Sequence, residues 1–87
     1  MLYYYAQRKT VKNGVAQTPA NYSYTTRPDA ERQFYLLCAA AIANNDQCEK
    51  ISVEYGTIEQ GKIERRFYDF SDQFASEPEE EPIESET

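Results

Sequence analysis

The chain has 87 residues, room for one small domain, and its 40% hydrophobic content with eight Tyr and four Phe excludes whole-chain disorder. It carries 15 acidic and 9 basic residues, a formal charge of −6, and no His, so the side chain that usually moves protons at neutral pH is missing. The charge is unevenly divided. Glu77, Glu79, Glu80, Glu81, Glu84 and Glu86 lie after Ser76 with no Lys or Arg among them, and setting those six aside leaves nine acids against nine bases.

A domain this small buries only about 60% of the surface of its unfolded chain, so oligomerisation would be a natural supplement. The longest uncharged apolar run, Phe34 to Ala43, is half the roughly 20 residues that a membrane-spanning helix needs. Met1-Leu2-Tyr3-Tyr4-Tyr5 has no basic region followed by an apolar segment, which points to a cytoplasmic protein with no membrane association.

Leu2 to Val11 is rich in aromatic and β-branched residues and reads as a strand. Asn13-Gly14 follows, the strongest short hairpin signal, because both residues tolerate positive φ. Val15 to Thr26 reads as the returning strand. Pro19 interrupts it and places it at an edge, since proline cannot donate to a ladder. Tyr3 and Tyr5 share one face, as do Tyr22 and Tyr24.

Thr26-Arg27-Pro28-Asp29 is a helix start, with a hydroxyl at the N-cap, a proline in the first turn and acids at Asp29 and Glu31. Ala30, Phe34, Leu37, Cys38, Ala41 and Ile42 then recur at helical spacing as one apolar stripe. Asn44-Asn45-Asp46 has the composition of a stop. Tyr35 and Leu36 fall off the stripe, the first sign of a second packing surface.

Ile51, Val53 and Tyr55 alternate with Ser52 and Glu54, as in a half-buried strand. Gly56 to Gly61 supplies a turn, and Lys62 to Phe70 returns with Ile63 and Phe67 on one face and Tyr68 and Phe70 on the other. The expected fold is α+β, ββαββ: a four-stranded antiparallel sheet with one helix packed on one face. Residues 1–75 form the domain. Residues 76–87, with Pro78 and Pro82 among the glutamates, are expected to be a disordered acidic tail.

No constellation of residues specifies a reaction. Cys38 and Cys48 match no metal or redox spacing and read as buried reduced thiols, so neither a metal site nor a cofactor is expected. Glu54 and Asp69 read as solvated strand charges, and each glycine sits at a turn instead of in a phosphate loop. The expectation is that the chain is not an enzyme.

Three binding readings follow. The first is a protein-binding module, a regulator or inhibitor of the kind phages and mobile elements encode, acting on a basic, nucleic-acid-handling protein. Twelve Phe and Tyr exceed what one helix on one sheet buries, and tyrosine suits interfaces. The contact residues would be Tyr4, Tyr35, Leu36 and Tyr68, each off its element's inferred core face, with Glu77, Glu79, Glu80 and Glu81 steering the encounter. The second reading is a homodimer that buries Tyr35 and Leu36. The third is single-stranded nucleic-acid binding through Arg8, Lys9, Lys12, Lys62, Arg65 and Arg66, which requires the first and last strands to be neighbours.

Overall fold

The computed structural model describes residues 3–74. Two β-hairpin-like units flank one long helix, in the order β1 (Tyr4–Lys12), β2 (Val15–Ala16), β3 (Ala20–Tyr24), α1 (Arg27–Ala43), β4 (Lys50–Thr57), β5 (Gly61–Asp69) and a short α2 (Ser71–Phe74). The sheet has five strands where four were expected, and every strand pair is antiparallel. The extra strand has a simple cause. β2 pairs with the last residues of β1 and β3 with its first five, so the two pieces share one edge of the sheet with Pro19 between them.

The spatial order places β1 against the β2/β3 edge on one side and β4 on the other, with β5 at the far edge. Asn13 at φ 56° and Gly14 at φ 78° form the two-residue turn that fixes the register Lys12↔Val15. α1 begins where its composition says it should. Thr26 is the N-cap with extended backbone, but its hydroxyl donates to the Asp29 carboxylate at 2.9 Å and caps no backbone amide. The helix ends at Asn44, left-handed at φ 49°. Its side-chain amide donates to the Cys48 carbonyl and its side-chain oxygen accepts from the Cys48 amide, both at 2.9 Å.

The register determines which residues face α1. Ile51, Val53 and Tyr55 on β4 are fully buried with Ala6 on β1, against Phe34, Cys38 and Ala41 of the helix. The Phe34 and Tyr55 rings meet at 4.9 Å between centroids. Both cysteines are buried and free. Residues paired with that inner set share its face: Tyr24 and Tyr68 pack against the core, opposite Tyr4 and Ile51 respectively. No described helix is long and apolar enough to cross a membrane.

Candidate functional site

The outer side of α1 is the most unusual surface of the molecule. From Phe34 to Ala43 the helix has no charged residue and only one hydroxyl, at Tyr35, so both its sides are apolar. The core uses Ala30, Phe34, Leu37, Cys38 and Ala41. What remains points to solvent: Tyr35 is 49% exposed, Leu36 58% and Ile42 66%, with Ala39 and Ala43 exposed between them. Successive helical residues turn by about 100°, so Leu36, Ala39 and Ala43 run along one line, flanked by Tyr35 and Ile42. Tyr35 and Ile42, seven residues apart, stand together on one side of that line, and the exposed Ala40 lies on the other.

Ile42 is a correction to the expected stripe. Ala41 takes the buried place at the end of the helix, and Ile42, one residue on, faces outward.

Tyr4 and Tyr68 are also corrected. Both lie on the helix-facing side of the sheet, half-buried against the core. Tyr4 follows the parity of buried Ala6, and Tyr68 is held inward by its pairing with Ile51. Burial first, and then the neighbouring Cys38 thiol, push the Tyr68 phenol above its ordinary pKa. Of the four aromatic and aliphatic contact residues expected, Tyr35 and Leu36 remain outward. Glu77, Glu79, Glu80 and Glu81 lie outside the described residues.

The six basic residues do not form one patch. β4 lies between β1 and β5, so the first and last strands are not neighbours. Arg8 and Arg66 face the helix side: Arg8 bonds to Asp46 at 3.2 Å, and Arg66 bonds to Glu64 at 2.8 Å with its guanidinium 5.9 Å from the Phe34 ring centre. Lys12 sits beside the β1–β2 turn. Lys62 lines a cleft of about 370 Å³ with Arg27, Tyr4 and Thr57. Lys9 and Arg65 lie on the opposite face of the sheet, in register with Ser52 and Glu54 respectively.

That opposite face is covered by no described element. Tyr5, Gln7, Lys9, Lys50, Ser52, Glu54, Arg65 and Phe67 belong to it by register, and Phe67 is 57% exposed. Phe67 is a further correction. With Tyr68 read as off the core face, alternation along β5 puts Ile63 and Phe67 inward, whereas Tyr68 and Phe70 take the core side and Phe67 faces out. Extending the hairpin register from the inward Ile51 and Val53 would have turned it outward.

Comparison with protein-family models, curated proteins and solved structures found no match to this chain.

Proposed function

We propose that this chain is a non-enzymatic protein-binding module, a regulator or inhibitor of the phage or mobile-element kind, whose contact surface is the outer side of α1. The observation that supports it most is the solvent-facing strip of Tyr35, Leu36, Ala39, Ile42 and Ala43 on a helix already anchored by its other side. Fully burying a side chain such as Leu or Ile is worth roughly 1.5–3 kcal/mol. A partner that covers Leu36 and Ile42 together gains several kcal/mol before any polar contact is counted. Ala39 and Ala43 allow the partner's backbone to approach, and Tyr35 supplies a rigid ring with a polar tip.

The partner is a basic protein of the nucleic-acid-handling type. The body of the chain is balanced in charge, and the six glutamates beyond Ser76 supply the whole excess. A field of that sign accelerates encounter with a positive surface and is screened by salt. Raising the salt concentration should slow association, and deleting residues 77–87 should reduce the on-rate while leaving the dissociation rate nearly unchanged.

The same strip supports a second reading, a symmetric homodimer through α1. Light scattering separates the two: a monomer at micromolar concentration favours a foreign partner, and a dimer broken by Leu36→Glu favours self-association.

A further inference from the structure

We infer that two copies of this chain join edge to edge through β3, with Tyr22 facing Tyr22 across a two-fold axis. The inference goes beyond the proposed α1 surface, which takes no part in the pairing. The two edges of the sheet differ. β5, at one edge, carries Lys62, Glu64, Arg65, Arg66 and Asp69, and its ladder to β4 is irregular at Tyr55/Gly56. Charges and bulges of this kind keep an edge from pairing with another chain. β3, at the other edge, has neither. From Val15 to Thr26 there is no charged residue, and Pro19, which would end a ladder, lies outside the strand.

Backbone hydrogen bonds along β1 decide what this edge offers. The carbonyls of Tyr3 and Val11 accept from Ile58 and Glu49 on the β4 side, and the Thr10 carbonyl accepts from Gln17 on the other. Backbone groups alternate in direction along a strand, so even-numbered residues of β1 bond toward β3. Tyr4, Ala6 and Arg8 are therefore bonded to Tyr24, Tyr22 and Ala20. Asn21 and Ser23 are left with their N–H and C=O groups directed away from the sheet.

A second copy satisfies those groups, because β3 is complementary to itself. In an antiparallel pair centred on Tyr22, Asn21 of each copy opposes Ser23 of the other, and the two pairs exchange four backbone hydrogen bonds. A shift of two residues one way sets Pro19, with no N–H, against Ser23, and the other way brings in Thr25, outside the strand. No charge is opposed to another. The Asn21 side-chain oxygen accepts from Gln7 at 2.7 Å, which leaves its NH2 to donate to the Ser23 hydroxyl opposite. Tyr22 shares the helix-facing side of its register partner Ala6 and is 37% exposed, so the two rings meet at the axis on that side.

Opposed residues of an antiparallel pair share a face, so both helices lie on the same side of the joined sheet. The pair thereby presents two α1 strips to one partner surface. Four backbone bonds and two rings make a small contact, half formed at on the order of 100 µM.

Sedimentation equilibrium of the full chain tests this without any partner, at about 0.3 M salt to screen the repulsion between two copies of charge −6. The parent should pass from monomer to dimer between about 10 µM and about 1 mM. Tyr22→Lys alone and Tyr22→Glu alone should each stay monomeric, because like charges meet at the axis, and their equimolar mixture should recover the dimer. Ser23→Pro removes an outward N–H and none of those bonded to β1, so it should weaken the pair by about tenfold or more. Retained dispersion of the amide signals shows that each variant is folded. The dimer should survive Leu36→Glu, which breaks pairing through α1. A parent still monomeric at about 1 mM, a mixture of the two folded Tyr22 variants that stays monomeric, or a dimer lost in Leu36→Glu and kept in Ser23→Pro would each overturn it.

Discussion

The Tyr5 hydroxyl donates to a Glu54 carboxylate oxygen 2.5 Å away, linking β1 to β4 on the sheet face that α1 leaves bare. Burial first, and then the carboxylate as hydrogen-bond partner and as charge, push the Tyr5 phenol up to about 12. The folded state therefore holds this proton more tightly than the unfolded chain, whose tyrosines titrate near 10. Stability from this group is fully present below about pH 10 and lost as pH rises from 10 toward 12. Urea midpoints across pH 9–12 should fall over that window. In Glu54→Gln the Tyr5 ring signal should titrate closer to 10 and the alkaline loss should shrink; an unchanged midpoint up to pH 12 would refute the linkage.

Gly56 and Gly61 do different work at the β4–β5 turn. A Cβ on Gly56 would lie 2.1 Å from the Gly61 carbonyl oxygen, a backbone atom that cannot step aside. Gly61 has open space but φ +87°, which side chains other than glycine rarely adopt. Gly56→Ala is expected to cost about 1–3 kcal/mol by overpacking. Gly61→Ala should cost about 1–2 kcal/mol through backbone strain. Chemical denaturation of both variants checks this, and a Gly56→Ala variant as stable as the parent would mean the strands do not approach as described.

Much of the fold was legible because local signals agreed with one another. Asn13-Gly14 fixed the first hairpin through positive φ, Thr26-Arg27-Pro28 marked the helix start, and Asn44 its left-handed end. Pro19 marked the broken edge strand for a physical reason, although the number of pieces depends on how many pairs survive on either side. The side of the sheet to which each aromatic belongs was harder to read. Tyr4 shares the side of Ala6, a residue too small to mark the core face of β1 by itself, and Tyr68 needed the register to Ile51, a relation between strands that leaves no trace in β5 alone. Strand order was unreadable for the same reason, and with it the dispersal of the basic residues. In the candidate site, Tyr35 and Leu36 stood out because they interrupt an otherwise clean stripe. Ile42 did not, because it continues the stripe by spacing from Cys38, while the fully buried Ala41 takes the core-facing place and Ile42 is turned about 100° away from it.

Phe34 joins the helix to the sheet from the middle of the core, fully buried against Tyr55 with Arg66 above its ring. Phe34→Ala should cost about 3–5 kcal/mol, a large share of what a domain of this size has. Thermal unfolding is the direct check. A loss under about 1 kcal/mol would show that the helix is anchored elsewhere.

The tail should act on rate more than on affinity. Neutralising Glu77, Glu79, Glu80 and Glu81 to Gln should lower the on-rate for a basic partner by about tenfold or more at low salt. Surface plasmon resonance at several salt concentrations should then show a much weaker salt dependence of association, since the formal charge falls from −6 to −2. An on-rate as salt-dependent as the parent's would assign the steering to other charges.

The outer strip of α1 is the claim on which the functional account stands, and Leu36→Glu/Ile42→Glu tests it most directly. Both side chains are more than half exposed, so the urea midpoint should correspond to a stability within about 0.5 kcal/mol of the parent. With the fold so verified, the variant is expected to retain none of the host protein that the parent retains on an affinity column. A folded variant that captures the same protein with undiminished affinity would contradict the account.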